Sequence, residues 1–318
     1  MARAAVIGIG LISLTIFACA ERRGDEEFDS TPRQDTAAVA EVQLIDVGGY
    51  DMRIRSFGLS DREPGEPLVI FENGSVAPLE SWADVPMEVA ERAPVLLYDR
   101  STVGGSEWDG EVGAPTHVTE RLWSLLEELD APPPYVLVGW SWGADLIRYH
   151  ASTHPNDVIG LVYVDAAAHS PAAELALMEQ LGFGREGLQR KIDFLARQAK
   201  RELSQQQAAD IQYIDDLLAA GLEHNYGDVP DVPAVALVAG QRRAAPNQAT
   251  RDTDVLPLGR VEEHRALLPG KIDRVTEWIQ GSSDGVLIFV DKSQHHMQGQ
   301  EPALVIMAIN RILDAAEE

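Results

Sequence analysis

The stretch Tyr135-Val136-Leu137-Val138-Gly139-Trp140-Ser141-Trp142-Gly143-Ala144-Asp145-Leu146 decides how this chain is read. An apolar run ends in a glycine, a serine follows two residues later, and a second glycine opens a helical pattern. That order is strand, tight turn, helix, with Ser141 at the tip of the turn. The spacing Gly-x-Ser-x-Gly has a steric basis. A chain that reverses this sharply drives the serine into strained backbone angles, and its neighbours must lack side chains for strand and helix to pack. The five residues alone carry little information, since glycine and serine are common. Their place between a buried-type strand and a helix start identifies a nucleophile elbow.

Outward from this turn, strands and helices alternate. Residues 41–57 hold two short alternating runs around Gly48-Gly49, a β-hairpin signal. Residues 68–71 form a buried-type strand that runs into Glu72-Asn73-Gly74-Ser75. Residues 81–92 read as a helix, with Trp82, Val85, Val89 and Ala90 on one side, and 94–98 as a strand ending in Asp99-Arg100. Residues 116–129 are helical, 135–139 are the strand before the turn, 142–152 the helix after it, and 158–164 a strand ending at Asp165. Buried strands alternating with amphipathic helices predict an α/β fold, a doubly wound and mostly parallel sheet with helices on both faces. The rhythm breaks at Ser170. Residues 170–230 carry only helical signals, which predicts a helical cap inserted between strands. The sheet resumes at 233–239, a charged helix covers 260–279, the last strand covers 286–290, and a closing helix covers 301–316.

Composition bounds the possibilities. The 318 residues carry a formal net charge of −25, from 26 Lys and Arg against 51 Asp and Glu. Such a surface does not neutralise phosphates, so no nucleic-acid partner is expected. The single cysteine, Cys19, excludes an internal disulfide and a cysteine-based metal site. Its position is informative. Arg3, an apolar run over 4–18, Cys19 and then Glu21-Arg22-Arg23 describe an export signal, too short to span a bilayer comfortably. Ile16-Phe17-Ala18-Cys19 resembles the lipobox of bacterial lipoproteins, which implies lipidation of Cys19 and a lipid anchor in the cell envelope. Residues 20–40, polar and acidic, then read as a disordered tether to a domain over 41–318.

A serine hydroxyl needs a base to take its proton, and the base needs an acid to orient it. Downstream of such elbows the order is serine, acid, histidine. Ser293-Gln294-His295-His296 follows the last strand, and either histidine could serve. The acid most often follows the strand before that one, but 240–247 holds no carboxylate; Asp252 and Asp254 come later. Asp165, at the end of the strand after the elbow helix, lies at the sheet edge where catalytic groups gather, and is the first candidate. An oxyanion would need donors, for which the backbone N–H groups of Trp142 and Ser75 are placed by order along the chain. No histidine pair has metal-ligand spacing and no glycine-rich nucleotide loop follows a strand, so neither cofactor nor metal is expected.

Residues 68–74, Tyr98-Asp99-Arg100 with Gly104 and Ser106, the 139–143 elbow, 160–165 and His295 to Pro302 together resemble the α/β-hydrolase fold superfamily. The likeness spans roughly 41–316. The family's closing motif of histidine, two residues, glutamine, three residues, proline matches His295, Gln298 and Pro302, which implies His295 over His296. Some members place the acid where Asp165 stands. Asn73 replaces a usual histidine, Thr102 a usual glycine, and the commoner acid slot is empty. The resemblance implies a serine hydrolase of small ester-type acyl substrates. Two other readings remain: a non-catalytic binding protein on the same fold, distinguished by a histidine out of reach of any carboxylate, and a peptidase or C–C hydrolase with the same three residues. Oligomeric state is not legible.

Overall fold

A computed structural model of the chain describes residues 40–168, 171–205, 207–208, 211, 213, 227–242 and 260–317. Cys19, the proposed signal and tether over 1–39, Asp252 and Asp254 lie outside these residues.

The described strands form an eight-stranded sheet in the order β1-β2-β4-β3-β5-β6-β7-β8: β1 (Gln43–Asp46), β2 (Asp51–Phe57), β3 (Leu68–Glu72), β4 (Val95–Tyr98), β5 (Tyr135–Trp140), β6 (Val158–Val164), β7 (Ala234–Ala239) and β8 (Gly285–Val290). The first two pair as the expected hairpin, β2 runs antiparallel to β4, and every later pairing is parallel. The doubly wound, mostly parallel sheet is therefore the fold observed.

The central strands β3 to β7 are almost wholly apolar because each face is covered. Leu68 and Ile70 of β3 and Leu137 of β5 join one core, whereas Val69, Phe71, Val136 and Val138 join the other. The period of two sends alternate side chains to opposite faces, and both faces are buried. On one face Leu122 of α2 (Pro115–Glu128), Ile147 of α3 (Trp142–Thr153) and Val275 of the helix Arg260–Gln280 complete the core. On the other, Val85 and Val89 of α1 (Val85–Val89) meet Val305, Ile309 and Ile312 of the closing helix Pro302–Glu317.

One expected helix is not formed as read. Residues 81–92 divide into a 3-10 turn, Leu79–Trp82, and the five-residue α1. Ala83 between them has φ of 51°, which no helix interior accommodates, and Pro86 lacks the N–H that a continuing helix would use. The apolar spacing of Trp82, Val85 and Val89 survives, because both pieces bury the same side.

After β6 the chain leaves the sheet for α4 (Pro171–Gln180) and α5 (Gly184–Glu202) before returning at β7. Met178, Leu188, Ile192, Leu195 and Ile211 of this insertion form a third core with Val118, Trp142 and Leu146. The insertion thus packs on the helix that begins at the elbow. In chain order the remaining helices bounded among the described residues are α6 (Arg260–Gln280), α7 (Met297–Gln300) and α8 (Pro302–Glu317).

Candidate active site

Ser141 caps α3 with φ 56° and ψ −122°, a strained geometry for a non-glycine residue. Its surroundings enforce it. A Cβ on Gly139 would lie 2.4 Å from Gly143 O, and one on Gly143 would lie 2.3 Å from Glu72 O. Backbone cannot yield to such contacts, so both glycines are obligatory. Ser141 N donates to Val164 O at 3.1 Å, and Ser141 O accepts from Ala144 N at 3.1 Å and Ala167 N at 3.0 Å. The elbow is therefore tied to the end of β6 as well as to α3.

The loop between β8 and α7 brings His295 to this serine. His295 Nε2 is 3.0 Å from Ser141 Oγ, and Nδ1 is 2.6 Å from Asp165 Oδ2. With Nδ1–H donated to the carboxylate, the neutral ring presents Nε2 as an acceptor to the hydroxyl. Asp165 follows β6 directly, at φ 41°, with its side chain wholly buried. Its other oxygen, Oδ1, accepts from Ala239 N at 3.0 Å and from Lys271 Nζ at 2.6 Å. The structure thus joins Ser141, His295 and Asp165 in one hydrogen-bonded line. His296 faces elsewhere and donates Nε2–H to Ser81 O at 2.8 Å.

Burial alone would raise the Asp165 pKa. Lys271, the His295 hydrogen bond and Arg242 overcome that penalty and hold the carboxyl well below its ordinary range. His295 lies well below its usual value, first because it is buried and next because Arg242 repels a second positive charge. A neutral imidazole beside a serine hydroxyl can accept its proton, which is general-base geometry.

The loop after β3 forms the facing wall. Arg100 Nη1 donates to Asn73 O at 2.7 Å and Nη2 to Gly74 O at 2.5 Å, while Nη1 also pairs with Glu72. Because a trans peptide points its N–H opposite its C=O, holding Gly74 O on Arg100 turns Ser75 N–H to the other side. A Cβ on Gly74 would sit 3.3 Å from Ser141 Cβ, so this peptide adjoins the serine. Trp142 is the first residue of α3, at the positive end of the helix. Glu72 is buried beneath the loop. Burial works to raise its pKa, but Arg100 and hydrogen bonds from His150 and Tyr98 prevail, and the carboxyl lies below its usual range. Asn73, in place of a histidine, is structural: its amide donates to Tyr98 O at 2.8 Å and its oxygen accepts from Trp82 Nε1 at 2.7 Å.

An open cleft reaches Ser75 and Trp142, and its walls include Val76, Val118, Ile211 and Arg121. Among the described residues no cluster of three or more His, Cys, Asp or Glu could hold a metal. None of their helices is long and apolar enough to cross a membrane.

The contacts that three residues make at the site were not visible in the sequence. Arg100 was visible only as part of a motif, with no role. Trp140 donates Nε1–H to His295 O at 2.8 Å, and its ring packs 5.2 Å from the imidazole. Lys271 sits in a charged helix whose sequence signals nothing but a solvated face.

Comparison with known proteins agrees with this architecture. A family model described as alpha/beta hydrolase fold matches residues 67–258, more than half of the chain. The chain is 24% identical over 289 residues to an AB hydrolase superfamily protein of Gibberella zeae, covering 79% of this chain and 87% of that one. It is 27% identical over 113 residues to the protein YqjL of Bacillus subtilis, covering 36% of this chain, and spans less than half of that relative, 45%. Among solved structures, an enol-lactonase from Burkholderia xenovorans LB400 superposes with a TM-score of 0.53 at 15% identity, covering 86% of this chain and 100% of the other. Sheet order, elbow and family match converge: the chain belongs to the α/β-hydrolase fold family.

Proposed function

We propose that this chain is a serine hydrolase of ester-type acyl substrates. Ser141 Oγ attacks the substrate carbonyl while His295 Nε2 takes its proton. Asp165 fixes the imidazole by accepting Nδ1–H and stabilises the imidazolium that forms. The oxyanion accepts hydrogen bonds from the N–H groups of Trp142 and Ser75. The C–O bond to the leaving group then breaks, and His295 returns the proton to the departing alkoxide. Water, deprotonated by the same histidine, attacks the acyl-enzyme and releases a carboxylic acid and free Ser141.

The observation that carries this reading is the line from Ser141 Oγ through His295 to Asp165, at 3.0 Å and 2.6 Å. A non-catalytic member would be marked by a histidine without a carboxylate, and His295 has one in direct contact. Purified protein tested on p-nitrophenyl esters of graded chain length decides the matter. We expect hydrolysis that vanishes in Ser141→Ala. Activity retained in that variant would place the nucleophile elsewhere, and an inert wild type that cleaves peptide substrates would replace the ester reading. We also propose envelope anchoring through Cys19; membrane association that persists in Cys19→Ser would refute it.

A further inference from the structure

The triad acid has a second partner that the reaction above does not use. Lys271, on α6, is largely buried, with 11% of its side chain exposed, and its ammonium lies 2.6 Å from Asp165 Oδ1. Ala239 N donates to the same oxygen at 3.0 Å. The lysine therefore adds a charge as well as a second donor that holds this oxygen away from His295. Among the described residues, Asp145 of α3, Arg242 just beyond β7 and His264 of α6 itself are the further charged and titratable groups that act on this pair and His295.

Resting on the serine hydrolase reading, we propose that Lys271 is a positioning residue of the triad, which holds Asp165 with Oδ2 turned to His295 and balances its charge from behind. An aspartate with no other cation favours the protonated imidazole strongly. Here the carboxylate is already neutralised by Lys271, so His295 gains less from protonation. Arg242 repels the imidazolium further, and both cations act in the direction that burial also acts. The consequence is a base that stays neutral, and so remains competent, at mildly acidic pH. The cost falls on the transition state, where the imidazolium is less stabilised than it would be beside an unpaired aspartate.

The test is the rate at which a fluorophosphonate probe labels the protein across pH, since labelling needs the activated serine but no particular substrate. In Lys271→Met the acid limb should move to higher pH by about one unit, the size expected for removing one near charge. Below both limbs that variant should label about tenfold more slowly than wild type, and on the alkaline plateau within about threefold of it. Lys271→Arg, which keeps the charge, should leave the limb near its wild-type position. An unmoved limb in Lys271→Met, or a loss equal at every pH, overturns the proposal, because a purely structural lysine gives one of those results. Should Lys271→Met not fold, Lys271→Gln provides the same loss of charge with a hydrogen-bond donor retained. A wild type that takes up no probe defeats the hydrolase reading itself, a result distinct from a reactive variant whose limb has not moved.

Discussion

Two lysines are buried in this fold, and they differ in the company they keep. Lys271 faces Asp165, whose other oxygen holds His295. Lys191 of α5, only 1% exposed, bridges Glu174 of α4 at 2.9 Å and Glu263 of α6 in a still closer contact. At the site one carboxylate is surrounded by cations, and it stays ionised far into the acid range. In the helical insertion one cation serves two carboxylates. Burial and the neighbouring Glu263 push the Glu174 carboxyl above its ordinary value, against the pull of Lys191. The same element, α6, supplies a partner to both clusters. A buried ion pair is weak evidence of stability in itself, but removing one member leaves a charge stranded at high cost. The charge count decides which way each cluster answers acid.

The largest expected effect is at the elbow. Ser141→Ala should lower ester turnover by at least about 10⁴-fold, because the triad acts as a unit. Asp165→Asn should lower it by roughly 10³ to 10⁴-fold, since an amide cannot fix the reactive tautomer. Measured in parallel, Asp254→Asn should change turnover far less, and the opposite ranking would move the acid to Asp254. Lys191→Met should leave Glu174 and Glu263 facing each other and destabilise the fold by about 3–5 kcal/mol in denaturant titration. Labelling of Ser141 in the remaining folded protein should persist, so this variant separates the insertion from the chemistry.

The smallest effect sharpens the comparison most. Glu174→Gln should change stability at neutral pH by less than about 1 kcal/mol, because it removes a charge that the folded state already disfavours. The pH dependence of the two clusters has opposite sign. Glu174, raised above the usual 4.5, binds a proton that the unfolded chain has released, so its contribution is complete below that value and is lost as pH rises through the folded value. Asp165, depressed below the usual 3.8, contributes above that value and loses its contribution as pH falls. Unfolding titrations of Glu174→Gln should therefore lose a decline in stability on the alkaline side of pH 4.5, while the acid-side loss due to Asp165 remains.

How much of this was legible in the sequence follows from what each residue must satisfy. Gly139 and Gly143 were legible because backbone atoms occupy the space of their missing side chains, and no other residue fits. The alternation of β3 and β5 was legible because both faces of the sheet are covered. The candidate histidine and acid were found by position along the chain, after the last strand and at the end of β6; the motif register with Gln298 and Pro302 pointed to His295, and His296 bonds instead to Ser81. Lys271 was not legible. Its helix carries charged residues that read as a solvated surface, and only the three-dimensional fold reveals that one of them turns inward to Asp165. The same is true of Glu72, one residue beyond an apolar run, whose burial becomes intelligible only once Arg100, Tyr98 and His150 surround it. The helix expected over 81–92 failed for a local reason. Apolar spacing cannot detect a backbone reversal at Ala83 when the segments on both sides bury the same face.

The central claim is that Ser141 is the nucleophile and that His295 and Asp165 activate it. Peptide mass spectrometry of the fluorophosphonate-treated protein tests this most directly. We expect a single adduct on the peptide bearing Ser141, absent in Ser141→Ala and formed far more slowly in Asp165→Asn at neutral pH. An adduct on another residue, or undiminished labelling of Ser141 in Asp165→Asn, would contradict it.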